Sequence, residues 1–286
     1  MNKLWITTLL WAFSFSLIGE FLAGQVDGYL AVFSRMILAL IVFIPFMKVK
    51  QVSNILRLKL SAIGAIQLGL MYLFFYHSFL FLSVPEVLLF TIFTPVYVAM
   101  LDELLSQGRL STKWLLPVVF AVAGAGVIRF QPLNDGFIVG FLLVQAANAC
   151  FACGQVFYKR LVIPKHVAQH NIFGWFFVGA TIISACSVML FANWQRLPSS
   201  SLQWGIVIWL GIGASGLGYF LWNSGAKQVN TGQLAVMNNV LIPAGLLVNL
   251  LFWQHNIDWL RFTVGSLLIM IGFLISLRKK DYILLR

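Results

Sequence analysis

The chain alternates between long apolar segments and short polar gaps over almost its whole length. Each apolar segment holds about 20 mostly hydrophobic residues, which is the length that an α-helix needs to cross a bilayer. The longest polar gap, between Lys159 and His170, has room for no separate soluble domain. This pattern predicts ten transmembrane helices, over residues 4–22, 28–47, 57–82, 84–102, 114–130, 136–158, 170–192, 203–226, 231–252 and 259–277.

Lysine and arginine residues are concentrated in alternate gaps between these segments. Of the 19, only Arg129, Arg196 and Arg261 lie in the second set of gaps, and Arg35 lies inside the second predicted helix. Loops that stay in the cytoplasm retain Lys and Arg during membrane insertion. The bias therefore predicts that both termini are cytoplasmic.

Composition supports a membrane protein and argues against other classes. Apolar residues make up 60% of the chain and charged residues 9%, and the mean hydropathy is +0.92. The net charge of +11 would favour nucleic acid as a partner of a soluble chain. Here the basic residues flank predicted helices, where loop topology and anionic lipid account for them. We predict an all-α polytopic membrane protein with the lipid bilayer as its surroundings and no nucleic-acid partner.

The two halves of the chain repeat each other. Glycine and tyrosine residues of the third predicted helix recur 147 residues later in the eighth, and Pro95 and Gly124 recur after 148 residues. The matched pairs are Gly64 with Gly211, Gly69 with Gly216, Tyr72 with Tyr219, Pro95 with Pro243 and Gly124 with Gly272. Five helices per half is an odd number, so the second half enters the membrane from the opposite face. We predict two inverted repeats, residues 1–130 and 131–286, around a central cavity.

Inverted repeats are a construction of secondary transporters, which hold substrate between the repeats and expose it to each side in turn. The chain has no phosphate-binding loop of the G-x-x-x-x-G-K-[ST] type, so we expect no ATPase of its own. Catalysis is not expected either, because no nucleophile and base assemble. The turn around Ser215 lacks a histidine on the tenth helix, and we interpret it as a packing face. Cys150 and Cys153 lack further ligands at metal spacing, so no metal or cofactor is predicted.

Ionisable residues at membrane depth are costly and mark functional candidates. Arg35 either binds an anionic group of the substrate, pairs with Glu20 or Glu86, or extends to the outer interface. Glu20 and Glu86 lie near the periplasmic helix ends and could carry protons or cap helices. His77 is a possible proton carrier or a hydrogen-bonded interior residue.

Uncharged polar and aromatic residues complete the predicted cavity. Buried amides need hydrogen-bond partners, so either neighbouring helices or a polar ligand must supply them. Mid-membrane aromatic residues on the same helices are candidates for packing against that ligand. The predicted binding residues besides Arg35 are Trp11, Tyr72, Tyr76, Gln145, Asn148, Tyr219, Trp222, Asn223, Asn238 and Asn239.

The chain resembles the EamA-type carriers of the drug/metabolite transporter superfamily in the string LLWAFSFS, the arginine of the second helix, the proline of the fourth, and the glycine-rich fifth and tenth helices. A departure is Gln254-His255, where many members carry an acidic residue. The resemblance implies a carrier in the bacterial cytoplasmic membrane. Similarity to biotin-importing members implies biotin as the small-molecule substrate. Export of amino acids or other small metabolites is the alternative within transport, and an intramembrane enzyme is the alternative outside it. The oligomeric state stays open.

Overall fold

All regular structure in the described part of the chain is helical. The computed structural model describes residues 1–48, 52–110, 135–229, 231–253 and 259–277, together with isolated positions between 116 and 127. These residues form α1 (Asn2–Phe21), α2 (Gly28–Phe43), α3 (Asn54–Ser78), α4 (Val84–Gln107), α5 (Asp135–Arg160), α6 (Phe173–Phe191), α7 (Ser201–Ala226), α8 (Thr231–Trp253) and α9 (Trp259–Leu277).

These helices coincide with nine of the predicted ten within a few residues. The remaining predicted helix, 114–130, lies largely outside the described residues, as do Gln254-His255 and the basic C-terminus. Seven helices are long and apolar enough to cross a membrane, and α8 and α9 contain shorter apolar stretches. The protein is therefore a membrane protein made of spanning helices.

Local capping explains where several helices begin and end. Asp27 precedes α2, and its carboxylate accepts a hydrogen bond from the Leu30 amide at 3.0 Å. Ser83 and Glu86 form a capping box at the start of α4. The helix ends at Gln107, and the next residue, Gly108, has the left-handed conformation (φ 68°) that favours glycine at a helix C-terminus.

Three helices depart from regular α-helical geometry near the middle of the bundle. Residues Ala65–Leu70 of α3 and Leu210–Leu217 of α7 form π-helical segments. Residues Thr91–Phe93 of α4 form a 3₁₀ turn before Pro95, which has no N–H to donate to the preceding turn. Helix α8 runs through Pro243 without interruption. Irregular segments of this kind are frequent at functional sites.

Small residues allow α3 and α6 to approach closely. A Cβ added at Gly64 would overlap the Phe176 carbonyl, and one added at Gly179 would overlap the Ser61 carbonyl. The Ser61 hydroxyl also donates to the Trp175 carbonyl at 3.0 Å. These contacts follow the small-residue packing that is typical of membrane helices.

Candidate functional site

A central cavity lies between α1, α2, α3, α4, α5, α7 and α8. Its volume is about 80 Å³, below the range of about 300–1,000 Å³ that is typical of small-molecule sites. Its wall is mostly aromatic and aliphatic, with a few polar groups. The lining residues are Trp11, Ser14, Phe15, Ile18, Arg35, Met71, Tyr72, Phe75, Thr91, Thr94, Ala147, Asn148, Phe151, Tyr219, Asn238 and Leu241.

Arg35 is the charged residue in this wall, and it is fully buried. Its NH1 group donates to the Tyr76 hydroxyl at 2.9 Å, NH2 donates to the Tyr72 hydroxyl at 2.7 Å, and Nε donates to the Ser215 hydroxyl at 3.1 Å. The guanidinium carbon lies 4.2 Å from the centre of the Tyr72 ring, which adds a cation–π contact. Helices α3 and α7 therefore fix the guanidinium that α2 carries.

This environment leaves the positive charge of Arg35 unneutralised by its hydrogen-bond partners. All three hydrogen bonds go to neutral hydroxyl groups rather than to Glu20 or Glu86, and full burial excludes extension of the side chain to the interface. A buried charge is stabilised best by an opposite charge with good geometry. The planar guanidinium, with two N–H groups to spare, matches a carboxylate. The arrangement can bind an anionic ligand group.

Trp11 anchors an aromatic part of the cavity wall. Its indole N–H donates to the Ala214 carbonyl, 2.9 Å away in the π-helical segment of α7. The Trp11 ring lies 4.8 Å from Tyr219 and 5.0 Å from Trp222, measured between ring centres. Phe151 packs edge-on against Trp11 at 5.9 Å. Trp11, Phe151 and Tyr219 line the cavity, so this part of its wall is aromatic and apolar.

Two amides reach the cavity. Asn148 donates to the Phe90 carbonyl at 2.8 Å and to Gln145 Oε1 at 3.3 Å, and its oxygen accepts from the Thr94 hydroxyl at 3.2 Å. Asn238 donates to the Leu234 carbonyl of its own helix at 3.1 Å. Each amide has further hydrogen-bonding capacity. They can therefore contact the polar part of a ligand.

Six of the predicted binding residues line the cavity, and the other five do not. Trp11, Arg35, Tyr72, Asn148, Tyr219 and Asn238 line the cavity, and Tyr76 supports Arg35. Gln145 accepts from the Tyr97 hydroxyl at 3.2 Å. Trp222 donates to Gln155 at 3.1 Å. Asn223 and Asn239 are not among the lining residues either.

The three predicted proton-coupling residues do not line the cavity. Glu86 accepts from the backbone and the hydroxyl of Ser83, both at 2.8 Å, so its observed role is helix capping. His77 Nδ1 lies 2.6 Å from the Leu73 carbonyl, and its ring packs on Tyr29 at 4.6 Å, as expected for a hydrogen-bonded interior histidine. Glu20 is half-buried at the end of α1.

Sequence reasoning missed Ser215, Thr91 and Thr94. The prediction treated the turn around Ser215 as a packing face, but its hydroxyl is a partner of Arg35. Thr91 and Thr94 flank the 3₁₀ turn of α4 and line the cavity. Their proximity to Pro95 was the available signal, because proline interrupts helix hydrogen bonding there. In the described part of the chain, no cluster of three or more His, Cys, Asp or Glu residues forms a metal site.

A bundle of spanning helices around a cavity with a buried cation has the architecture of a membrane carrier. The sequence matches the EamA-like transporter family twice, over residues 4–130 and 138–278, and the chain belongs to this family.

Relatives and a solved structure extend this result. The chain is 48% identical over 271 residues to a biotin transporter of Salmonella typhimurium, covering 94% of this chain and 90% of the relative. It is also 48% identical over 271 residues to a probable biotin transporter of Pseudomonas aeruginosa, and this match covers 94% of each chain. One crystal structure of a protein with 18% identity aligns with a TM-score of 0.66 over 97% of this chain and 96% of its own. That structure supports the fold alone.

Proposed function

We propose that the protein is a secondary transporter that imports biotin across the bacterial cytoplasmic membrane by alternating access. It needs no ATPase of its own and performs no catalysis. The two relatives at 48% identity match nearly the whole chain, and they are a biotin transporter and a probable biotin transporter. This similarity supports biotin as the substrate.

The observation that carries this proposal is the buried Arg35 in the wall of an aromatic cavity. Biotin has a carboxylate at the end of a flexible chain, a cyclic urea with donors and acceptors, and an apolar bicyclic body. The carboxylate would bind Arg35, the urea would bind Asn148 and Asn238, and the bicycle would pack against Trp11 and Tyr219. A site that satisfies each polar group discriminates strongly against analogues that lack one.

We further propose that residues 1–130 and 131–286 are inverted repeats. The family matches the chain in two consecutive stretches, which supports two related halves. The π-helical segment Leu210–Leu217 overlaps the position 147 residues after Ala65–Leu70. The matched residues Tyr72 and Tyr219 also meet at the cavity, with ring centres 5.9 Å apart. Both termini are cytoplasmic in this proposal, in accord with the alternation of basic loops.

The energy source of import is proposed to be an ion gradient, with Glu20 and His77 as the candidates for proton coupling. Replacement of either residue by a neutral one, Glu20→Gln or His77→Asn, should change the pH dependence of uptake if that residue carries the proton. An unchanged pH profile in a correctly inserted variant would remove it from consideration. Glu86→Gln is the matched control, because Glu86 caps α4 and we expect its replacement to leave the pH profile unaltered.

Uptake of labelled biotin at nanomolar concentration by auxotrophic cells that lack their own transporter tests the substrate. Cells with this chain should accumulate the label, and unlabelled biotin should compete it away. No uptake from a well-expressed, inserted protein would contradict biotin import and favour export of another metabolite.

A further inference from the structure

A second group of buried amides lies one helical turn from the cavity and outside its wall. Gln67 of α3, Gln155 of α5 and Asn223 of α7 are 0%, 1% and 0% exposed. Several of their polar atoms have no hydrogen-bond partner among the described residues. These atoms are Nε2 and Oε1 of Gln67, Nε2 of Gln155 and Oδ1 of Asn223.

Helix geometry relates each of these amides to a residue of the cavity wall. Gln67 precedes Met71, Gln155 follows Phe151 and Asn223 follows Tyr219, each by four residues, so that the members of each pair share a helix face. Met71, Phe151 and Tyr219 all line the cavity. The three amides therefore form a layer next to the cavity, displaced towards the C-terminal ends of α5 and α7.

Contacts between the helices bring this layer together. A Cβ added at Gly154 would overlap the Gln67 side chain, so the glycine next to Gln155 makes room for the Gln67 amide. The indole of Trp222 donates to Gln155 Oε1 at 3.1 Å, which joins α7 to α5 at this level. The Asn223 amide group donates to the Tyr219 carbonyl one turn earlier in α7 at 3.1 Å. The Gln67 amide also lies in the π-helical segment of α3, a type of irregularity that often marks functional sites.

Trp222 separates the two layers. It is 1% exposed, and its ring packs against Trp11 at 5.0 Å and Phe151 at 6.2 Å. Rotation of this indole would release the Gln155 oxygen, which now accepts its N–H.

We propose that Gln67, Gln155 and Asn223 form a second binding station for a urea-type or amide-type group of the substrate. This inference rests on the proposed function, because it assumes that a substrate with such a group passes through the cavity. A cyclic urea has two N–H donors and one carbonyl acceptor, which complement the unpaired oxygens and N–H groups of the station. Buried amides without partners reduce stability, and their retention is explained if a passing ligand satisfies them. The station holds the substrate after it leaves Asn148 and Asn238 and before release.

Replacement of Gln67 by leucine distinguishes this role from a structural one. A structural amide has partners, so its removal lowers the melting temperature. The Gln67→Leu variant instead removes unpaired polar atoms, and we expect its melting temperature to be unchanged or higher. Biotin binding at equilibrium should change little, because the cavity wall is intact. The maximal rate of uptake should fall by about tenfold, since only the transfer step is affected.

Gln203→Leu is the matched control, since Gln203 is an interhelical amide with partners. It accepts from the Ser199 amide at 2.8 Å and donates to the Phe21 carbonyl and to Gln25. The control should lower the melting temperature. Wild-type uptake by Gln67→Leu would overturn the station, and so would a melting temperature that falls as in the control or a loss of equilibrium binding. Failure of the wild-type protein to bind biotin would contradict the proposed function instead, and the wild-type measurement alone reveals it.

Discussion

Arg35 combines complete burial with three hydrogen bonds to neutral hydroxyl groups. Such a geometry fixes the orientation of the guanidinium before any ligand arrives, so a carboxylate would lose little of its binding free energy to reorganisation. The ring of Tyr72 supports the charge, and Ser215 links it to α7. Substrate binding at Arg35 would therefore act on α2 and α3 of the first proposed half and on α7 of the second.

Arg35→Ala should weaken biotin binding about a hundredfold, because a charge-assisted bidentate pair contributes about 3 kcal/mol. Arg35→Lys keeps the charge without the fork and should cost about tenfold. The measurement is the dissociation constant for biotin and for biotin amide, which lacks the carboxylate. The wild type should prefer biotin, whereas Arg35→Ala should bind both equally. A retained preference in Arg35→Ala would show that another group recognises the carboxylate.

The sequence predicted Arg35, Tyr72 and Tyr76 as residues of the site but did not predict Ser215. A charged side chain within an apolar helix is visible in the hydropathy pattern, so Arg35 could be found without a structure. Ser215 could not, because serine is common at helix contacts and nothing in its own helix shows that Arg35 faces it. Gln145, Trp222, Asn223 and Asn239 were predicted at the cavity from their polarity or depth. They are not among the lining residues, because which side chains reach the cavity depends on helix rotation, which the sequence pattern does not fix.

At the scale of elements, hydropathy predicts where helices lie and small residues decide how closely they pack. The described helices match the predicted ones because the hydrocarbon core requires a minimum apolar length. The π-helical segments of α3 and α7 were not predicted, since they depend on backbone hydrogen bonding and leave hydropathy unchanged. The segment in α7 contributes directly to the site, because its Ala214 carbonyl accepts from Trp11 and its Ser215 hydroxyl accepts from Arg35.

Gly179→Ala should destabilise the protein, because its Cβ would overlap the Ser61 carbonyl of α3. Overpacking of this kind costs about 1–3 kcal/mol, and we expect a lower melting temperature and less folded protein in the membrane. Gly205→Ala is the control in α7, where an added Cβ meets nothing within 4 Å. It should preserve or raise stability, by up to about 1 kcal/mol, because alanine favours helix. Equal effects of the two changes would argue against the close α3–α6 contact.

In the whole molecule, α6 crosses the membrane in the proposed topology, so the loops at its two ends must lie on opposite sides. Basic residues before α6 assign that end to the cytoplasm, and the opposite end to the periplasm. Inside a cysteine-free background, Gln195→Cys should react with an impermeant maleimide in intact cells. Lys165→Cys should react only after permeabilisation. Both side chains are exposed, so access to the reagent is decided by the membrane. The reverse pattern would invert the proposed orientation.

The central claim is that the cavity carries biotin across the membrane by alternating access without ATP. Counterflow in proteoliposomes tests it most directly, since exchange through such a carrier needs no energy source. Vesicles loaded with unlabelled biotin and diluted into a trace of labelled biotin should accumulate the label transiently. Vesicles with Arg35→Ala should accumulate much less. Absence of counterflow from inserted wild-type protein, or equal counterflow in the two, would contradict the account.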